Sequence, residues 1–371
     1  MEHRKILCVA PHLDGGGSQR VLINIVNYLG NENLDLLVIN KEGKLLKQIN
    51  DDIKIISTKA SRARNAILEI KNILDKNNYG IIFTMKGYLG IIVLISKMLS
   101  KNKPRIIYRE VVHVTTILKK KGRLKFINKL LYKIMYKKVY KIIAPSLEIK
   151  KDLIENFNIV PNKIKVINNP VDTKKINKSI KEQIDHHWFQ LQREIPVLVG
   201  MGRLTEQKGF KFLIEAIELL KMRNIKVRLA ILGEGEKEKE LKLRVKKKKL
   251  NDRIQFLGFK ENPFIYIANA DLFILSSLFE GFPNALLEAM ACETPVISTS
   301  CPSGPSEIIN NNKNGILVPY KNSERLADEI IQLINNPNFA SALAKRGGVT
   351  VRQRFALDII MRKYEKLFMN I

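Results

Sequence analysis

Glu280 and Glu288 are separated by seven residues in the stretch FEGFPNALLEAMAC, residues 279–292. Gly281 and Pro283 break helical geometry beside Glu280. The apolar run that follows predicts a helix beginning near Pro283, a residue suited to a first turn because its nitrogen needs no partner there. Such a helix start would present the amides of Asn284, Ala285 and their neighbours to an anion. Glu288 stands about one and a half turns further on, between the apolar runs 285–287 and 289–291, and a carboxylate in so apolar a helix needs a partner. Two carboxylates bracketing an anion-binding helix start suit a ligand with hydroxyls at both ends and phosphates between, the form of a nucleotide sugar. A pair of glutamates taken alone is more often solvated; the apolar neighbours argue the other way.

Two cations extend the pattern. Arg203 and Lys208 lie just past a predicted strand, 195–203, in the sequence GRLTEQKG. On a tight loop they can bind a diphosphate, the guanidinium as a fork and the ammonium as a point charge. Singly each is more often a surface residue; together with Glu280, Glu288 and the helix start they favour phosphate. In the first half, Gly15, Gly16 and Gly17 follow a predicted strand over 5–12, and glycine lets backbone approach a phosphate closely. The spacing is not GxGxxG, which disfavours a nicotinamide dehydrogenase, and a plain tight turn fits these glycines equally well. No metal is expected. Cys8, Cys292 and Cys301 lack ligand spacing, His186 and His187 have no partner motif, and Asp51–Asp52 is a poor substitute for an Asp-x-Asp site.

The elements that must position these groups alternate along the chain. Strands are predicted over 34–40, 53–57, 80–85, 105–109, 141–145 and 165–168, with helices over 19–29, 63–76 and 88–100. A loose polar passage, 172–194, precedes a second series, with strands over 195–203, 227–232, 254–259, 271–277, 295–299 and 315–318. Helices fill the intervals, and two more close the chain. The pattern predicts two doubly wound α/β domains, with ligands at the carboxyl ends of the strands. The expected division is 1–180, 181–352, and a last helix within 353–371 that packs back on the first domain.

Composition narrows the partners. With 45% hydrophobic residues in 371 the chain is globular. The apolar run 87–99 is too short to span a membrane, the first residues do not read as a signal peptide, and the three cysteines cannot form a disulfide framework, so a cytoplasmic protein is expected. The 64 Lys and Arg exceed the 36 Asp and Glu by 28. A field of that sign attracts polyanions. Within 117–141 the residues Leu124, Ile127, Leu131 and Ile134 recur at helical spacing. Lys125, Lys129, Lys133 and Lys137 form an i, i+4 row on another face. Such a helix either puts its apolar stripe in the core or lies on an anionic membrane, and both hold if only the lysine row touches lipid. No nucleic-acid motif appears, and nucleic acid is not expected as a partner.

Taken together, GRLTEQKG (202–209), LGEGEKEKEL (232–241), EGFPNALLEAMACETPVIST (280–299), CPSGPSEII (301–309), NGILVP (314–319), GGGSQRV (15–21) and INNPVD (167–172) resemble the retaining glycosyltransferases of family 4. The resemblance covers most of the chain and is most specific in its second half. It implies a GT-B fold, two Rossmann-like domains facing across a cleft, the first binding the acceptor and the second the nucleotide sugar. It implies that Arg203 and Lys208 bind the donor diphosphate, Glu288 the ribose hydroxyls and Glu280 the donor sugar. Backbone from Phe282 through Asn284 to Ala285 would run along sugar and phosphate, the loop after Gly258 would meet the base, and Gly16 and Gly17 would approach the phosphates. Family members carry a His after a strand of the first domain, near the donor sugar. Here Arg109–Glu110 occupies that place and His113 follows three residues on. Members acting on polyprenyl-linked acceptors show such an Arg-Glu pair, so the resemblance offers both Glu110 and His113 for the role.

The implied activity is transfer of a hexose or N-acetylhexosamine from a UDP-sugar, without a metal, to a lipid-linked or glycan acceptor in bacterial O-antigen, capsule or lipid-linked oligosaccharide synthesis. The enzyme would sit at the inner face of the plasma membrane. Two other readings stay open from sequence: a GT-B sugar-nucleotide epimerase, and a non-catalytic basic protein binding membrane or nucleic acid.

Overall fold

The computed structural model describes residues 5–30, 32–60, 62–119, 125–190 and 193–370. The contacts divide the chain into two compact units, Met1–Pro170 with Leu357–Ile371, and Val171–Ala356. The first unit is built on strands β1 (Ile6–Ala10), β2 (Leu34–Val38), β3 (Ile55–Ser57), β4 (Ile81–Met85), β5 (Arg105–Arg109), β6 (Lys141–Ala144) and β7 (Ile164–Val166). The second is built on β8 (Val197–Met201), β9 (Arg228–Leu232), β10 (Ile254–Gly258), β11 (Leu272–Leu275), β12 (Val296–Thr299) and β13 (Ile316–Val318). The central strands ILCVA, LDLLV and IIFTM are buried along their whole length, because helices cover both faces of a parallel sheet.

Each sheet is wound outward from its middle, in the orders β3-β2-β1-β4-β5-β6-β7 and β10-β9-β8-β11-β12-β13. All pairings are parallel; Ile6 stands opposite Leu34 on one side and Ile81 on the other. The winding direction reverses between β1 and β4 in the first sheet and between β8 and β11 in the second. Doubly wound sheets bind ligands at such switch points, outside the carboxyl ends of the strands.

The domain change falls at Pro170/Val171 and Ala356/Leu357 rather than near 180 and 352. The segment expected as a loose passage is built into the second unit. Val171 bridges Ala356, Asp172 caps the helix Thr173–Ser179 through the Lys175 amide, and Ile176, Trp188 and Phe189 are core residues. A few apolar anchors set its place, although lysines and polar residues dominate its composition.

The basic stretch also departs from expectation. It forms two helices, Val114–Lys119 and Lys125–Lys138; Leu124 and the side chain of Lys125 lie outside the described residues. The longer helix turns Met135 and Tyr136 into the core, followed by Val139 just past its end, with Tyr132 packed against it. The helix Gly87–Leu99 makes room for it: a Cβ on Gly87 would fall 2.0 Å from the Tyr132 ring, and one on Gly90 would fall 2.5 Å from the Met135 sulfur. The predicted apolar stripe is therefore not in the core. Ile127, Leu131 and Ile134 are 59%, 40% and 46% exposed, beside Phe126 at 78% and Leu130 at 59%.

Candidate active site

In the second unit, Lys208 and Glu280 come together at the switch point. Lys208 closes the loop after β8, and Glu280 stands on the loop after β11. The Lys208 Nζ lies 2.6 Å from Glu280 Oε1, and the Ser277 hydroxyl donates to the same oxygen at 2.6 Å. Glu280 is 5% exposed, so its charge is held by an ammonium and a hydroxyl rather than by water. Glu280 Oε2 has no protein donor among the described residues. The two loops are joined by backbone as well. Leu278 N donates to Gln207 O, Gln207 Nε2 to Phe279 O, and Ser276 Oγ to Lys208 O. Gly209, at φ 62°, permits this approach, because a Cβ there would fall 2.1 Å from Ser276 O.

Arg203, on the same loop as Lys208, is exposed and makes no ion pair among the described residues. Its loop is fixed from beneath. Gly202 N donates to Leu232 O, Leu204 N to Glu234 O, and Lys237 N to Leu204 O. Gly233 N in turn donates to Gly258 O, and the Phe259 amide reaches Glu234 Oε1 at 3.3 Å. The loops after β8, β9 and β10 thus form one hydrogen-bonded rim that carries Arg203 at one end and Gly258 at the other.

The helix following Glu280 runs Asn284–Ala291, with Pro283 as its N-cap rather than its first helical residue. Leu286, Leu287, Ala289, Met290 and Ala291 are buried, and only Asn284, Ala285 and Glu288 are partly accessible. Spaced at i, i+1 and i+4, these three share one stripe of the helix. The turn 281–283 is braced by the loop after β12. The Ser303 hydroxyl donates to Gly281 O at 2.8 Å, and Gly304, at φ 94°, lets backbone pack on Pro283, where a Cβ would fall 2.6 Å from Pro283 Cδ. Burial, with help from the neighbouring carboxylates, pushes Cys301 beside Glu280 and Cys292 beside Glu288 up to about 12, so both thiols stay protonated at neutral pH.

In the first unit the candidates lie at separate strand ends. Gly16 caps the helix Gly17–Leu29, and the amides of Gly15 and Gly16 donate to Gln19 Oε1 at 2.8 and 2.7 Å. Gln19, 5% exposed, donates onward to His12 O at 2.8 Å. The glycine turn is therefore tied by a side chain that the sequence reading passed over. Its position three residues after the N-cap is the spacing of a capping box, and that spacing could have found it.

Arg109 and Glu110, at the end of β5, are 1% and 2% exposed. The Arg109 guanidinium donates to the Tyr364 hydroxyl at 2.7 Å, to Asn169 Oδ1, and to Glu110 O at 3.3 Å. Tyr364 belongs to the last helix, Leu357–Met369. Glu110 Oε2 accepts from the Tyr136 and Tyr108 hydroxyls at 2.5 and 3.2 Å, and Oε1 accepts from the Val111 amide at 2.9 Å. Burial pushes its carboxyl up, opposed by the Tyr136 hydroxyl, the Val111 amide and the Tyr108 hydroxyl. Both oxygens are thus engaged inside the unit. His113 stands before the helix Val114–Lys119, its Nδ1 3.5 Å from Asp152 Oδ2 and 3.1 Å from Thr116 Oγ1. Asp152 is itself fixed by Thr115 and Asn156. Among the described residues no group of three His, Cys, Asp or Glu is placed to hold a metal, and no helix is long and apolar enough to cross a membrane.

Two doubly wound parallel sheets in one chain are the architecture of a GT-B protein. Comparison with known proteins gives the family. A profile described as Glycosyl transferases group 1 matches residues 182–348, and one described as Glycosyltransferase Family 4 matches residues 15–175. The chain belongs to the family 4 glycosyltransferases. An uncharacterized glycosyltransferase of Methanocaldococcus jannaschii is 35% identical over 190 residues, 51% of this chain and 47% of that protein. The N-acetylgalactosamine-N,N'-diacetylbacillosaminyl-diphospho-undecaprenol 4-alpha-N-acetylgalactosaminyltransferase of Campylobacter jejuni is 30% identical over 251 residues, 68% of this chain and 66% of that protein. The matches span 47% and 66% of the lengths of these two relatives. Among solved structures, Anabaena HepE in complex with UDP-glucose matches with a TM-score of 0.85 at 21% identity over the whole of both chains, a likeness that shows the fold alone.

Proposed function

We propose that this protein is a retaining glycosyltransferase that moves a hexose or N-acetylhexosamine from a UDP-sugar to a glycan acceptor carried on polyprenyl diphosphate. It works without a metal ion, at the inner face of the plasma membrane. The observation that carries this reading is the Lys208–Glu280 pair at the switch point, with Arg203 exposed on the same loop. Arg203 and Lys208 take the diphosphate. As the bond from the sugar to the phosphate oxygen breaks, charge develops on departing UDP, and the two cations with the first-turn amides of Asn284–Ala291 stabilise it. That is the work a divalent ion does elsewhere. Glu280 offers Oε2 to the sugar hydroxyls, and Glu288, on the accessible stripe with Asn284 and Ala285, takes the ribose. Backbone from Phe282 to Ala285 lines the sugar and phosphate, and the rim at Gly258 meets the base.

The acceptor hydroxyl attacks the same face that the phosphate leaves, and a phosphate oxygen takes its proton. His113 is oriented by Asp152, and Glu110 shapes the loop that carries it. The UDP donor is supported by the ligand of the HepE structure, and the acceptor by the diphospho-undecaprenol in the name of the Campylobacter relative. The membrane is supported by the exposed apolar face of Lys125–Lys138 with Lys129, Lys133 and Lys137 beside it. The test is a UDP-sugar panel offered with lipid-linked acceptors and read by mass spectrometry, with and without chelator. One donor is expected to give a product one sugar heavier, unaffected by chelator. Arg203→Ala is expected to lower turnover by about 10²–10³-fold. No transfer from any UDP-sugar, or near-normal turnover in the variant, removes this account.

A further inference from the structure

The loop between β12 and the helix Pro305–Ile308 holds two successive residues in left-handed backbone, Ser303 at φ 70° and Gly304 at φ 94°. Glycine is required at 304, where a Cβ would strike Pro283. At 303 glycine would be the less strained residue, yet a side chain stands there and is 1% exposed. A buried residue kept in such a conformation persists because its surroundings hold it, and positions of this kind cluster at functional sites. The Ser303 hydroxyl donates to Gly281 O at 2.8 Å, a contact that glycine could not make.

The same loop grips the neighbouring turn at further points. Glu280 N donates to Pro302 O at 3.2 Å, and Thr299 Oγ1, at the end of β12, donates to Ser277 O at 2.6 Å. These contacts fall at 277, 280 and 281, on both sides of the Glu280 side chain. Lys208 and Ser277 fix Glu280 Oε1, so the direction of Oε2 depends on the backbone that carries the residue. Gly281, next in the chain, has no side chain to resist rotation of the peptide that joins it to Phe282. With its oxygen held by Ser303, that planar trans peptide turns the Phe282 N–H the opposite way. Arg203, by contrast, rides on the loop after β8, which the loops after β9 and β10 hold.

We propose that Ser303 is a positioning residue for the donor sugar. Through Gly281 O it sets the turn from which Glu280 and the Phe282 amide meet the sugar, and it leaves the grip on the diphosphate to Arg203, Lys208 and the helix start. The proposal rests on the transferase reading and adds a residue that governs sugar recognition alone. Calorimetry on the full chain tests it, with UDP, UDP-glucose, UDP-galactose, UDP-N-acetylglucosamine and UDP-N-acetylgalactosamine as probes, for the unaltered protein, Ser303→Gly and Ser303→Ala. Both variants lose the hydroxyl, but only Ser303→Ala keeps a Cβ in left-handed backbone, so Ser303→Gly is expected to unfold at the higher urea concentration. Despite that difference, both are expected to weaken the best-bound UDP-sugar about tenfold, the scale of one misplaced hydrogen-bonding group, while UDP affinity holds within about twofold. UDP-sugar affinity within about twofold of the unaltered protein's, an equal loss for UDP, a loss that follows stability from one variant to the other, or failure of both to fold overturns the proposal. Failure of the unaltered protein to bind any UDP-sugar counts instead against the transferase reading.

Discussion

Lys208 and Arg203 share a loop, yet their surroundings differ enough to separate two kinds of loss. Lys208 neutralises a carboxylate that is 5% exposed, so Lys208→Ala leaves Glu280 charged, desolvated and held by the Ser277 hydroxyl alone. Breaking a buried pair costs about 3–5 kcal/mol, and the partial exposure of Lys208, 18%, brings the expectation down to about 1–3 kcal/mol. Arg203 is exposed and makes no ion pair among the described residues, and Arg203→Ala is expected to leave stability within about 0.5 kcal/mol. Urea unfolding of both variants beside UDP titration checks this: weaker UDP binding in both, lower stability only in Lys208→Ala. Equal stability losses would contradict the geometry. The types and order of Arg203, Lys208, Glu280 and Glu288 were legible because each follows a strand end or opens a helix. The pairing of Lys208 with Glu280 was not, since it depends on how two loops 72 residues apart approach, and Ser277 carries no local signal.

At the scale of elements, Glu110 joins three parts of the first unit. Its carboxylate takes a hydroxyl from Tyr108 of β5, one from Tyr136 of the helix Lys125–Lys138, and the amide of Val111 on the way to His113. The linkage has a sign that can be measured. Burial raises this carboxyl above its ordinary 4.5, so the native state keeps a proton that the unfolded chain has already released. Where the native state binds more protons, stability falls as pH rises. Glu110 therefore contributes a loss of stability that begins near pH 4.5 and levels off above its folded value. Glu110→Gln has no such step. The difference in unfolding free energy, unaltered protein minus variant, is expected to fall with pH across that window and to be flat below it; parallel curves would place the proton elsewhere. The strands were legible because parallel strands buried on both faces read as continuous apolar runs. Which face of the basic helix turns inward was left open by the sequence, because that face carries Tyr132 and Tyr136, whose hydroxyls make them look amphipathic, and the buried carboxylate that Tyr136 satisfies lies at the end of another element.

For the whole molecule, an excess of 28 positive charges sets what can cover the outward face of Lys125–Lys138. Phe126, Ile127, Leu130, Leu131 and Ile134 leave an apolar strip in water, and the helix Gly87–Leu99 packed beside it exposes Ile95, Met98 and Leu99 as well. Patches of this kind mark interaction sites. A second copy of so basic a chain would bring like charges together around the strip. An anionic leaflet accepts the apolar side chains at the depth of its acyl boundary and the flanking lysines at its headgroups. Lys129, Lys133 and Lys137 contribute about 1 kcal/mol each near such a surface, so their joint replacement by Gln is expected to weaken vesicle binding roughly a hundredfold. Leu130→Glu with Ile134→Glu acts on the other half of the interaction, and since both side chains are exposed the fold and UDP affinity are expected to persist. Co-sedimentation with phosphatidylglycerol-containing and purely phosphatidylcholine vesicles separates the two contributions. The lysine variant should lose most of its preference for anionic vesicles and most of its salt dependence, whereas the Leu130/Ile134 variant should keep a weak, salt-sensitive attraction to anionic vesicles alone. Equal recovery of the unaltered protein on both vesicles would leave the lysines without a membrane role.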